Sequence, residues 1–224
     1  PYLPTPGTEA EAKLTVRPSR DARRMRVPRK DWSFDGDAIT GTFSGNHIYE
    51  LVYTTSDPWV LGLGPAAVAQ FAGWLKDEDH CSFAVDHTVA VGISQTGRFL
   101  RHFLYRGFNS LGDKGRAFDG MFILTAGAGR GSFSHRFGQP SRDGHQNSAF
   151  VYPTDVFPFS SRLQRDPVLR GSDGLFDRPL HSGTLPKVFQ VNTGYEYWGR
   201  AAALIHTSVD GTADVAPLPE ERLY

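Results

Sequence analysis

Residues 88–108 read TVAVGISQTGRFLRHFLYRGF, and the fold turns on how this stretch divides. Thr88 to Ile93 is a short unbroken run of small and β-branched apolar residues, the pattern of a strand buried on both faces. From Gln95 to Phe108, Leu100, Phe103, Leu104 and Phe108 recur at helical spacing, with Arg98, Arg101 and Arg106 mostly off that face. Between the two, Gly92-Ile93-Ser94-Gln95-Thr96-Gly97 must turn the chain from strand to helix within a few residues. A serine on such a turn, flanked by small residues, presents its hydroxyl at the carboxyl edge of a sheet, at the head of a helix whose N–H groups favour an oxyanion. Thr96 stands where the strict G-x-S-x-G pattern has its second glycine, and Gly97 follows one residue later. A serine here can also serve simply as a helix cap. The strand and helix on either side favour a nucleophile.

Outward from this junction, strand-like and helix-like runs alternate. Residues 47–54 (HIYELVYT) read as a strand. Gly64-Pro65 opens a helix running to about Glu78, with Val68, Phe71, Ala72 and Leu75 as its buried stripe. Residues 118–125 and 187–192 read as strands, and Tyr197 to His206 as a helix after the second. The order predicts an α/β fold, a mainly parallel sheet flanked by helices. The stretch 126–186 breaks the alternation with Gly, Ser, Arg, Pro and aromatic residues. At about sixty residues it is far longer than an ordinary connection and reads as a functional excursion with some local helix.

Four segments carry a resemblance. GLGPAAVAQFAGWLK (62–76), VAVGISQTGRFLRHFLYRGFN (89–109), FDGMFILTAGAGRGSFSHRFGQPSR (118–142) and NTGYEYWGRAAALIHT (192–207) resemble a family of bacterial α/β-hydrolase-domain proteins, many of unassigned substrate. The likeness extends from about Ile48 onward. That family is in turn similar to the glucuronoyl esterases in having a helix before the nucleophile strand. The resemblance implies a serine hydrolase of carboxylic esters. It also implies further sheet before Pro1, an upstream export signal in many members, and a last strand and histidine-bearing loop after Tyr224. The chain opens on Pro1 rather than Met and closes on Glu220-Glu221-Arg222-Leu223-Tyr224, which reads as a strand that stops. Residues 1–46 then form a basic, proline-rich lead-in and 47–224 a partial hydrolase domain.

A serine nucleophile needs a base and an acid that orients it, in these folds in the chain order Ser, Asp or Glu, His. Glu196, just past the 187–192 strand, fits the acid; its alternative is a helix-start carboxylate held by the dipole. Asp119 lies at the wrong end of its strand, Asp155 lies in the excursion, and Asp210 belongs to an Asp-Gly turn. His206 is the one histidine after Glu196, but ten helical residues place it about 15 Å along the axis, beyond hydrogen-bond reach. The base is therefore expected after Tyr224. The Gln95 N–H is the natural oxyanion donor. Arg130, His135 and Arg136, on the loop leaving the 118–125 strand, are candidate substrate-binding groups at a carboxyl edge, with ordinary loop-ordering ion pairs as the alternative. An amidase or peptidase on the same site, or a hydrolase-fold binding module without catalysis, are the competing functions.

Composition narrows the classes further. Lys and Arg together number 24, as do Asp and Glu, so the formal net charge is zero and no whole-molecule attraction to nucleic acid or anionic membrane follows. The first thirty residues are net +5, leaving −5 for the rest. Prolines punctuate that arm without interleaved aromatics in its Arg run, so it reads as a solvated connecting segment rather than a phosphate-binding one. No run approaches the length of a membrane span. A single cysteine, Cys81, excludes an intrachain disulfide and a cysteine-based zinc site. Asp143, His145 and His135 lack clean metal-ligand spacing, so no metal or other cofactor is expected, and the expected partner is a small-molecule ester.

Overall fold

Lys13–Arg17 (β1), Met25–Val27 (β2) and Ile48–Val52 (β5) are short runs mixing apolar and polar side chains, suited to a sheet covered on one side. In the computed structural model they form an antiparallel sheet in the order β2-β1-β5, with Leu14 opposite both Val27 and Leu51. Trp32–Asp35 (β3) and Ala38–Gly41 (β4) make a hairpin beside it in sequence, turned by Gly36 at φ 57°. Ala12, Leu14 and Trp32 are the buried centre of this part, with Tyr49 and Leu51 packed on them. Two expectations are corrected. The basic lead-in is folded rather than a solvated connector, and the 47–54 strand belongs to this antiparallel sheet, not to the parallel one.

The structure describes residues 2–130, 133, 136–137, 156–168 and 170–224. The chain divides into two compact units, Pro1–Leu61 with Ser134–Tyr152, and Gly62–Phe133 with Pro153–Tyr224. The second unit runs α1 (Leu63–Trp74), β6 (Val89–Ile93), α2 (Gln95–Tyr105), β7 (Gly120–Leu124), the two-residue pair β8 (Gln164–Arg165) and β9 (Ser172–Asp173), α3 (Asp177–His181), β10 (Lys187–Val191), α4 (Gly194–Gly199) and β11 (Glu221–Leu223). Four of these strands form one sheet in the order β11-β10-β7-β6, every neighbouring pair parallel. The α/β architecture read from the sequence is thus the architecture found. Leu100, Phe103 and Leu104 of α2 bury against Met121 and Ile123 of β7 and Val188 of β10, with Ala69 and Ala72 of α1 in the same cluster. Among the described residues no helix is long and apolar enough to cross a membrane.

Four details depart from the sequence reading. Among the described residues β6 ends the four-stranded sheet, and Val89, Val91 and Ile93, which share one face of it, are 55–64% exposed rather than buried. An apolar run does not tell whether both faces of its strand are covered. In α1 the buried residues are Pro65, Ala69 and Ala72, because small side chains permit the closest approach; Phe71 is exposed and stacks on Trp74 at 5.8 Å. Arg101 and His102 are buried on α2. The helix expected over 197–206 is α4 followed by a short 3₁₀ turn over Ala202–Ile205, broken by Ala201 at φ 55°. The 15 Å axial separation of Glu196 and His206 therefore does not apply. Instead the His206 ring stacks against Tyr197 at 5.7 Å.

Candidate active site

The strand ends of the parallel sheet are tied to one another beyond the last ladder residues. Ser94 N donates to Leu124 O at 2.8 Å, Thr125 N to Val191 O at 2.7 Å, and Asn192 N to Tyr224 O at 3.0 Å. Ser94, Thr125, Asn192 and Tyr224 thus follow one another along one edge, each strand about 4.8 Å from the next. Ser94 and the segment bearing Glu196 lie on this same carboxyl edge, two strands apart.

Ser94 has φ 54° and ψ −113°, a conformation uncommon outside glycine. Its carbonyl accepts Arg98 N at 3.0 Å, beginning α2, but its side chain makes no capping bond to the helix and the residue is exposed. The crowding around the turn explains the small residues. A Cβ on Gly92 would stand 2.6 Å from Thr96 O and 2.9 Å from Gly97 N; one on Gly97 would stand 3.0 Å from Ala126 Cβ and 3.1 Å from Leu124 O. Thr96, which breaks the strict motif, ties the turn from within. Its Oγ1 donates to Ile93 O at 2.9 Å and accepts Ile93 N at 2.8 Å. Sequence reasoning treated Thr96 as a deviation and missed this role. Gln95 is the first residue of α2, so its N–H has no intrahelical acceptor and is available at the head of the helix. Among the described residues no side chain hydrogen-bonds the Ser94 hydroxyl.

Glu196 is buried at the third position of α4. Its Oε2 accepts Thr193 N at 3.0 Å and Thr193 Oγ1 at 2.5 Å, and Thr193 Oγ1 in turn accepts Tyr195 N at 3.3 Å. This is a capping box, legible in the sequence as Thr193-Gly-Tyr-Glu196, although sequence reasoning invoked only the helix dipole. The Thr193 hydroxyl, helped by the Thr193 backbone N–H and Arg200, holds the carboxyl below the usual glutamate range. Next to it a pocket of about 750 Å³ is lined by Asn192, Thr193, Tyr197, His206 and Tyr224 among others. Neither Ser94 nor Glu196 is among its described lining residues.

The remaining candidates fall elsewhere. Arg130 stacks over the Tyr105 ring at 4.0 Å and donates to Phe157 O at 2.6 Å. Tyr105 ends α2, about 15 Å along the helix from its Ser94 end, so this guanidinium orders a loop rather than reaching the serine. Burial lowers its pKa. Arg136 belongs to the first unit and lies over Phe137 at 5.8 Å. His135, His145 and Asp155 lie outside the described residues. Asp119 pairs with Lys76 at 2.7 Å and accepts Thr88 N at 3.0 Å at the amino end of β6, the far edge of the sheet. Asp210 is held to about 2 by the Ser208 and Thr212 hydroxyls of its own turn. Among the described residues no group of three or more His, Cys, Asp or Glu side chains is placed to hold a metal.

No curated protein and no solved structure matches the chain. The model of one family does, over residues 40–214, well over half of the chain and including the whole succession from α1 through the Ser94 turn to α4. With three of the four parallel strands, the helices around them and the serine turn inside that span, the chain belongs to the alpha/beta hydrolase domain family.

Proposed function

We propose that this hydrolase domain acts on carboxylic esters by acyl transfer through Ser94. The observation that carries the reading is the backbone of Ser94 itself, at φ 54° with a side chain that caps nothing. A helix-capping serine would adopt extended φ/ψ and direct its oxygen to the second or third N–H of the helix. Holding a non-glycine residue at positive φ costs on the order of 1–3 kcal/mol, and a glycine would relieve it. The strain is accounted for if the hydroxyl is needed where the turn puts it.

In this reading the Ser94 Oγ attacks the ester carbonyl while a base takes its proton. The carbonyl electron pair moves onto oxygen, opposite the Gln95 N–H. Collapse expels the alkoxide, which leaves with that proton, and water releases the acyl group by the same steps. Glu196 orients the base, which in the order of parts common to these folds is a histidine later in the chain than the acid. Reaction with a fluorophosphonate probe tests the assignment: the intact protein should be labelled on Ser94, and Ser94→Ala should lose both labelling and p-nitrophenyl acetate hydrolysis. Hydrolysis by the alanine variant at the parent rate would remove Ser94 from the mechanism.

A further inference from the structure

Beneath the carboxyl edge lies a buried polar chain that neither the family nor the proposed reaction accounts for. It starts at Arg101, two turns of α2 after Ser94 and fully buried. Its guanidinium donates to the Gln190 side-chain oxygen, to Phe159 O at 2.7 Å and to Ala128 O at 3.3 Å. The Gln190 amide then donates to Glu221 Oε1 at 2.6 Å, and Glu221 Oε2 accepts Ser161 Oγ at 2.7 Å and Leu218 N at 3.4 Å. Gln190, Glu221 and Ser161 are each no more than 2% exposed. One cation and one anion are thus joined through an uncharged amide, and the chain ties α2 to the loop after β7, to β10 and to β11.

Burying two charges this deeply gives little net stability compared with an apolar filling of the same volume, whereas removing one partner alone is damaging. What such a chain does specify is register. A helix that slid or rolled by one residue would carry the Arg101 fork away from Gln190, Ala128 and Phe159 and leave its charge unpaired in a dry interior, with Gln190 no longer linked to it. Ser94 immediately precedes α2, and Gly97 packs the first turn of the helix against Leu124 and Ala126. The axial position of the helix is therefore the position of the hydroxyl.

We infer that Arg101, Gln190 and Glu221 form a positioning relay that sets α2 against the last two strands and so holds Ser94 in place. The inference rests on the reading of Ser94 as the nucleophile. None of the three touches the reacting atoms; they act through the helix and the sheet.

The test uses Glu221→Gln in the intact protein, a change of charge at nearly constant shape, read by amide hydrogen exchange and by fluorophosphonate labelling. Glu221 touches no residue of α2 directly through these bonds, yet exchange along residues 98–105 should rise about tenfold. The maximal labelling rate at Ser94 should fall about tenfold with probe affinity unchanged. If exchange rises only in β11 and around Ser161, while α2 exchanges and Ser94 reacts as in the parent, the relay is ordinary local structure and the inference is wrong. Should Glu221→Gln fail to fold, Ser161→Ala removes a single bond to the same carboxylate and should give the same pattern at about threefold. If the parent itself is not labelled, the hydrolase reading has failed, and the exchange of α2 still decides whether the relay holds that helix.

Discussion

The turn at Ser94 depends on side-chain size to within one carbon. A methyl group on Gly92 would meet the Thr96 carbonyl at 2.6 Å, and backbone cannot swing aside as a side chain can. Gly92→Ala should therefore destabilise the domain by about 1–3 kcal/mol, measured by urea unfolding, and should slow labelling of Ser94 in whatever fraction remains folded. Glu196 invites a separate experiment, because its cap is visible while its part in the reaction is proposed. Glutamine at the same place can keep the reach to Thr193 N, so Glu196→Gln should hold stability at neutral pH within about 1 kcal/mol. If Glu196 also orients the base, turnover should fall by orders of magnitude; unchanged turnover would leave it a cap only. The pH dependence has a definite sign. The folded carboxyl is more acidic than the ordinary value of 4.5, so its contribution is complete above that value and is lost as pH falls through the lower, folded one. The variant should lack that acid limb in its stability profile.

At the level of elements, what the sequence made legible follows from what hydrophobic pattern can encode. β6, β7 and β10 are each legible to within a residue or two of their ends, because short runs rich in apolar residues, such as residues 120–124 (GMFIL), suit parallel strands. Pattern cannot say whether both faces of a strand are covered: β6 reads as doubly buried, yet the face bearing Val89, Val91 and Ile93 is exposed. It also could not place Arg101 inside, since a charged residue is exposed unless paired, and the partners Gln190 and Glu221 are remote in sequence. The helix over 197–206 failed for a local reason. Residues 200–205 (RAAALI) are mostly good helix formers, and although Gly199 is the last residue of α4, the left-handed position itself is occupied by Ala201 at φ 55° and not by a glycine. Ala201→Gly should relieve the strain and raise stability by up to about 1 kcal/mol despite the greater freedom of the unfolded chain. A fall in melting temperature would mean that the Ala201 methyl group contributes more by packing than it costs in strain.

Over the whole molecule, charge misled where packing decided. The first thirty residues look like a basic, proline-broken connector, yet β1 carries Leu14 and β3 carries Trp32 into a shared core. The Arg29 guanidinium lies over the Trp32 ring at 4.2 Å, and Arg17 and Arg24 meet Glu50 at 3.4 and 2.5 Å. These three cations thus face partners on their own unit. Strands of three to five residues with charged side chains give little periodic signal, which is why the sheet stayed hidden. Leu14→Ala should cost about 2–5 kcal/mol of this unit's stability, seen as faster hydrogen exchange in β1, β2 and β5. Exchange at the parent rate there would show that Leu14 is not central to that core.

The two residues after Gln95 carry a lesson for recognising such chains. The familiar signature names a glycine two places after the serine, but the turn here asks for two separate things: room beside Ala126 and Leu124, and a tie back to Ile93. Gly97 supplies the first and Thr96 the second. A search phrased as letters at fixed places passes over this solution. One phrased as a small residue at the third place after the serine, with a hydroxyl at the second, would retrieve it and any relative that divides the task the same way.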